Sequence, residues 1–269
     1  MIINHNLNAM NAHRNLVFNN TDQGKSSEKL SSGYRINRAA DDAAGLSISE
    51  KMRAQIRSLN QAQANSQDGV SLIQTAEGAM GEVSDMLVRM KELSVKASNG
   101  TYNASDLDAM DKEFQKLDDA INNIATKTQF NGINLLNSTS GINVQIGDKA
   151  GDTVTVSLQD IQSSTLGIAS LSLSTAAGAS SAMGAIDTAI GKVNTARSTF
   201  GAVQNQLEHT FNNLAATAEN LQAAESRIRD VDMAKEMMNY TKLGILQNAS
   251  TAMLAQANQA PQGVLQLLR

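Results

Sequence analysis

Apolar residues recur every seven positions through most of this chain, and that period leaves few folds open. One row runs Met52, Leu59, Ser66, Ile73, Met80 and Leu87. A companion row three residues on runs Ala62, Gly69, Ala76, Val83, Met90 and Ala97. Two rows offset in this way are the a and d positions of a coiled-coil helix, here with small residues in the middle of its seam. At about 1.5 Å per residue, residues 46–98 predict a helix of roughly 80 Å. Composition agrees with a thin helical bundle: aromatics are 3% of the 269 residues, there is no Trp, and Pro261 is the single proline. An interior proline costs a helix about 3 kcal/mol, so its scarcity permits very long helices.

The period continues elsewhere. Asn99-Gly100 ends the first long helix. Ser105 opens the next, with Asp106 and Asp108 in its first turn and a seam of Leu107, Met110, Phe114, Leu117, Ile121 and Ile124. This second helix is expected to fold back on the first. Period two then takes over. Asn131-Gly132 is a turn signal, and Ile142, Val144, Ile146, then Val154, Val156, Leu158 alternate with polar residues around GDKAGD, which predicts a β-hairpin over 142–158. Residues 163–181, rich in Ser, Ala and Gly, read as a surface turn region. The seven-residue period returns in Ile186, Val193, Phe200, Leu207, Leu214, Leu221 and Ile228, and continues as Val231, Met238, Ile245 and Ala252 beyond a break near Arg227–Asp232. Residues 1–33 carry it too, in Ile3, Met10 and Val17 with Leu7. The expected fold is mainly α: a long antiparallel coiled-coil rod with paired terminal helices and a small β-hairpin region.

Charge is distributed unevenly. Residues 1–60 carry +3 (eight basic, five acidic) and residues 61–225 carry −9 (nine basic, eighteen acidic), within a net charge of −4. Residues 1–21 hold one charged side chain, Arg14, and residues 243–268 hold none. A net negative chain argues against nucleic acid as a partner. The uncharged C-terminal stretch is long enough to span a bilayer, but Gln247, Asn248, Gln256, Asn258, Gln259 and Pro261 interrupt it, so membrane insertion is not expected. MIINHNLNAMN has neither a basic n-region nor an apolar h-region, so a Sec-type signal peptide is not expected. With no cysteine, disulfides and thiolate metal sites are excluded.

The stretch LSSGYRINRAADDAAGLSISEKM, residues 30–52, could be mistaken for an active-site loop. Gly33 interrupts the heptads and Leu46 resumes them, so residues 34–45 read as a joint between two helices. Arg35 and Arg38 are expected to pair with Asp41 and Asp42 and fix its shape, with Gly33 and Gly45 at its ends. Catalysis would need a nucleophile or a metal ligand there, and the chain offers only His5, His13 and His209 with no Cys. No metal motif or phosphate loop is present, and no enzyme activity or cofactor is expected.

These residues carry a family resemblance. LSSGYRINRAADDAAGLSISEKMRAQI resembles the N-terminal signature of bacterial flagellin. MIINHNLNAMNAHRNL resembles the family's N-terminus, MLVRMKELSVKASNGT the end of its first long helix, and TQFNGINLL the turn into its hairpin. AAESRIRDVDMAKE resembles its C-terminal signature and QAPQGVLQLLR its last residues. The resemblance implies a structural subunit that polymerises into the flagellar filament, the helical propeller of swimming cells, and lies outside the cell after export without a cleavable signal. It implies inner-core helices at 1–33 and 232–269, a spoke at 34–45, and a coiled-coil layer at 46–231 with its hairpin region at about 130–173. The family's variable outer domain would be essentially absent, reduced to about 172–181. Ile3, Leu7, Met10, Val17, Val231, Met238, Ile245, Ala252, Leu265, Leu267 and Leu268 would form the assembly core.

Implied partners are further copies of the chain, the hook-associated junction and cap proteins, a flagellin export chaperone and the flagellar type III export apparatus. Toll-like receptor 5 would be contacted through Arg89, Leu93 and Glu113, which match the family's receptor motif. The hook–filament junction protein is a relative with similar ends; the complete DDAAGL and RIRDVDMAKE signatures favour flagellin. A filament-borne peptidase would need an inserted zinc-binding central domain, for which this chain has no room.

Overall fold

The computed structural model describes the backbone of residues 5–267 and the side chains of residues 5–259. Within them the element order is α1 (Leu7–Ser32), α2 (Ala43–Ala97), α3 (Ala104–Lys127), β1 (Gln129–Phe130), β2 (Ile133–Asn134), β3 (Gly141–Gln145), β4 (Thr153–Ser157), α4 (Ser163–Leu166), α5 (Ala176–Arg229) and α6 (Met233–Leu267). The chain divides into two units, one of residues 55–219 and one of residues 1–54 with 220–269. None of the described helices is long and apolar enough to cross a membrane.

The first unit is built on the heptads. Along α2 the seam residues Ser66, Ile73, Ala76, Met80, Val83, Leu87 and Met90 are sealed from solvent, as are Ile186, Val193, Phe200 and Leu207 of α5. Phe114 and Ile121 of α3 complete the core. Ion pairs give the directions. Lys91 pairs with Asp187, and Glu77 with Arg197, so α2 and α5 run antiparallel; Arg89 pairs with Glu113, so α3 folds back on α2. The helix that Ser105 was expected to open begins a residue earlier. Asn103 is the cap: its side chain accepts from Asp106 N–H at 2.9 Å while Asp106 reaches back to Asn103 N–H. A reciprocal capping box is favoured because it satisfies two helix-end donors at once.

The hairpin forms where period two predicts it. Ile142 lies opposite Val156 and Val144 opposite Val154. Val144 packs over Gly69 of α2, where an added Cβ would come within 3.3 Å of it and 3.1 Å of Leu207. The small residues in the middle of the α2 seam therefore make room for the hairpin. Asn131 and Gly132 both take positive φ, 48° and 80°, as the tight turn joining β1 and β2 requires.

Residues 163–181 depart from the surface turn expected of them. Ser163, Leu166, Ile168, Leu173 and Ala179 are buried, and α5 has already begun at Ala176. Gln115 of α3 donates to Leu171 O at 2.8 Å and Lys192 of α5 donates to Thr165 O at 2.7 Å, tying the segment down. A composition rich in Ser, Ala and Gly suits close packing as well as it suits a loop, and only the neighbours decide between them.

One core carboxyl is anomalous. Asp118 on α3 is 8% exposed, and its Oδ1 has no hydrogen-bond partner among the described residues. Burial pushes its pKa up, and neighbouring Asp119 adds to the shift. A carboxyl raised in the folded state favours folding below its unfolded pKa of about 3.9 and loses that contribution as pH rises through the folded value. Asp118→Asn is therefore expected to raise Tm at pH 7, with the gain gone by about pH 3. Melting curves showing the same gain at both pH values would contradict this.

Candidate functional site

In the second unit the same heptad signal has a different outcome. α1 and α6 pair antiparallel: Asn6 Nδ2 donates to Ala257 O at 2.7 Å and Asn19 Nδ2 donates to Ser250 Oγ at 2.9 Å. The half-buried residues of α1 are Ala9, Ala12, Leu16, Asn19, Gln23, Glu28, Lys29 and Leu30, a mixed row in which small and polar residues accompany the two leucines, and Ser26 is its one buried residue. The heptad residues lie off this face. Leu7, Met10 and Val17 of α1 are exposed, and so are Met238, Ile245 and Ala252 of α6; Met10 and Ile245 are both 64% exposed. Phe18, Leu246 and Met253 extend the exposed apolar surface. An open groove of about 500 Å³ lies between the helices, lined among others by Asn8, Asn15, Leu246 and Met253. Ile3 and Leu268 lie outside the described residues; Leu265 and Leu267 belong to α6, but their side chains lie outside those described.

The joint is smaller than 34–45 and more elaborate than a pair of local salt bridges. Gly33 caps α1 in the left-handed conformation, φ 75°, and donates to Lys29 O. The irregular link then ends at Asp42, because Gly45 already sits in the first turn of α2. Neither arginine pairs with Asp41 or Asp42. Arg38 makes two bonds to Glu28, at 3.0 and 3.1 Å, and the Arg35 guanidinium donates to Ile228 O. The two aspartates bind backbone instead. Asp41 accepts from the N–H of Asn37 and Arg38, whose hydrogen bonds hold its carboxyl below the usual carboxylate range. Asp42 caps α2 by accepting from Gly45 N–H at 2.8 Å. The physical reason is geometric: unpaired N–H groups of a link and a helix start lie within reach of a short carboxylate, whereas a long guanidinium reaches other elements.

The second link, residues 230–232, pairs with the first. Arg35 N–H donates to Arg229 O at 2.7 Å and Val231 N–H donates to Gly33 O at 3.0 Å, so Val231 acts here through its backbone. Arg229 lies 4.9 Å from the centre of the Tyr34 ring and bonds Glu50, holding that carboxyl below its ordinary range. Ile36, 1% exposed, anchors the link from beneath. Tyr34, Ile36, Glu28, Glu50 and Arg229 were not singled out from the sequence; Arg229 meets Glu50 across 179 residues and meets Tyr34 of the other link, a range that no local pattern reports.

Gly45 is fixed by close approach: a Cβ there would lie 2.4 Å from Asp42 Oδ2 and 2.9 Å from Ile36 Cδ1. Gly45→Ala gains about 1 kcal/mol of helix propensity. It forfeits the Asp42 cap, worth about 0.5–2 kcal/mol, and displaces Ile36. The expected result is net loosening, read as several-fold faster tryptic cleavage at Arg35 and Arg38. Unchanged cleavage rates would show that the link absorbs the methyl.

The receptor-motif residues lie in the other unit. Arg89 is 51% and Glu113 46% exposed, joined by a 2.8 Å ion pair. Leu93 is 3% exposed and belongs to the core. It lies beside Met90 and Ala97, which the seven-residue period already marked as seam positions of α2.

Comparisons place these features in a family. The family model for the bacterial flagellin N-terminal helical region matches residues 3–141, and that for the bacterial flagellin C-terminal helical region matches residues 183–268. The chain is 56% identical over 272 residues to a flagellin of Halalkalibacterium halodurans, with all of both chains covered. It is 47% identical over 286 residues to the flagellar filament 33 kDa core protein of Treponema phagedenis, again with full coverage of both. The crystal structure of Bacillus cereus flagellin matches with a TM-score of 0.52 at 41% identity, covering 60% of this chain and 94% of that one. A putative flagellar hook-associated protein from Vibrio parahaemolyticus shares the fold, with a TM-score of 0.61 at 15% identity over 71% of this chain and all of that one.

Proposed function

Because the chain belongs to the bacterial flagellin family, and so is a structural subunit of the flagellar filament, we propose that α1 and α6 are the segments through which copies of it pack into the polymer. The observation that carries this is the exposed heptad face: Leu7, Met10 and Val17 with Met238, Ile245 and Ala252 are spaced for helix packing yet take no part in the pairing of α1 with α6. Apolar rows of this kind are stable in water only when something covers them. Residues 1–21 and 243–268 hold one charged side chain between them, Arg14, which lets many copies crowd those parts around one axis with little repulsion. A contact between unlike faces of successive copies does not close on itself and grows an open helical polymer. Residues 34–42 with 230–232 are the spoke joining this layer to the one formed by the α2/α3/α5 bundle.

Mixing purified chain with short filament seeds and a salting-out agent tests the reading by negative-stain electron microscopy. Long tubes of uniform width support it; monomers or short rings overturn it.

The same exposed surface has to be kept from premature association inside the cell. An export chaperone covering α6 before passage through the flagellar type III apparatus fits the uncharged character of its residues from 243 onward, and the hook-associated junction and cap proteins are the neighbours at the two ends of the polymer. In toll-like receptor 5 recognition, Arg89 of α2 and Glu113 of α3 supply the exposed polar contacts, while buried Leu93 anchors α2 in the core beneath Arg89. Arg89→Ala is expected to weaken receptor signalling by tenfold or more, on the scale of about 1.5–3 kcal/mol for a hydrogen bond to a charged group. An unchanged dose response in a reporter cell line would remove Arg89 from the contact.

A further inference from the structure

The chain has twelve methionines and no cysteine; among the described ones the most exposed are segregated from the buried, with Met52, Met86 and Met183 half-buried between them. Met80 and Met90 are fully buried and Met110 nearly so, all in the α2/α3/α5 core. Met10, Met233, Met237, Met238 and Met253 all lie on α1 and α6 and are 48–68% exposed. We propose that these five thioethers are the oxidation site of the unassembled subunit, and that their conversion to sulfoxide blocks polymerisation until it is reversed. The second half rests on the assembly reading above.

The chemistry needs only a peroxide. The thioether sulfur attacks one peroxide oxygen, the O–O bond breaks, an S–O bond forms, and the other oxygen leaves as water; sulfur is oxidised and peroxide reduced. Reactivity follows access of oxidant to sulfur, which the exposed five offer and the core three do not. With no thiol in the chain, no cysteine competes for the oxidant. The product is polar and carries a strong acceptor oxygen. On a face whose neighbours are Val17, Ile245 and Leu246, such an oxygen would be buried on assembly without a donor, which disfavours packing. Met253 sits in the wall of the α1–α6 groove, so oxidation there also alters the surface a neighbouring copy meets.

Soluble chain is treated with hydrogen peroxide, mapped by peptide mass spectrometry, then seeded. Met10, Met233, Met237, Met238 and Met253 are expected to gain one oxygen each well before Met80, Met90 and Met110. The concentration needed for polymerisation should rise at least tenfold, and methionine sulfoxide reductases should restore it. Equal oxidation rates across the two groups would overturn the site. Undiminished polymerisation of fully oxidised chain, or a loss that reductase treatment leaves in place, would overturn the block. For a chain carrying Met→Leu at all five positions, the concentration needed for polymerisation should be the same with and without peroxide, measured against its own untreated control; a peroxide-induced rise as large as in the unaltered chain would show that the five are not responsible. Failure of the untreated chain to polymerise would count against the assembly reading itself, while the oxidation map would still test the site.

Discussion

Removal of residues 232–269 is expected to abolish polymerisation while leaving the α2/α3/α5 bundle folded. The buried core cluster draws every member from residues 72–207, so the deletion removes none of it. What the deletion does remove is α6, half of the exposed apolar face, and the partner of Asn6 and Asn19. α1 would then be a 26-residue helix with a weak moment and a single buried residue. An isolated helix of that kind is marginal in water, since most helix stability in proteins comes from a packed apolar face. Circular dichroism should show the central helices retained with an unchanged main melting transition. Electron microscopy after seeding should show no tubes. Intact filaments from the truncated chain would refute α6 as an assembly segment, and loss of the main transition would refute the independence of the central unit.

Phe200→Ala is expected to destabilise that central unit by about 3–5 kcal/mol, the usual range for deleting a buried ring. The chain has five phenylalanines, and only Phe114 and Phe200 are among its largest fully buried side chains. A close-packed core cannot fully collapse into the space of a lost ring, and unrelaxed cavities cost most. Phe200→Leu keeps most of the volume and should cost well under half as much. Urea unfolding followed by circular dichroism measures both. An alanine variant with an unshifted midpoint would mean that Phe200 is not packed as the structure places it.

Other features divide by the range of the interaction that made them. The capping of α3, the Asn131-Gly132 turn and the break before α6 depend on residues within a few positions of one another, and each was legible to within a residue or two; the hairpin over 142–158 was legible from its alternation, though its register was not read. The link was not. Arg38 was expected on its near neighbours Asp41 and Asp42, yet it reaches Glu28, and Arg35 reaches Ile228. Gly45 was assigned to the joint but lies in the first turn of α2, because Asp42 caps that helix three residues earlier. Residues 163–181 were read as a surface turn from a composition that packing could use equally well.

The sequence by itself determined the helices, their breaks and the face of each that is apolar, because a repeat of seven in a helix of 3.6 residues per turn needs no partner to be recognised. It could not say what each face meets. The rows through Met80 and Phe200 are sealed in a core, while those through Met10 and Ile245 lie open beside the face on which α1 and α6 pair. Burial is a property of two surfaces, and only the tertiary structure supplies the second.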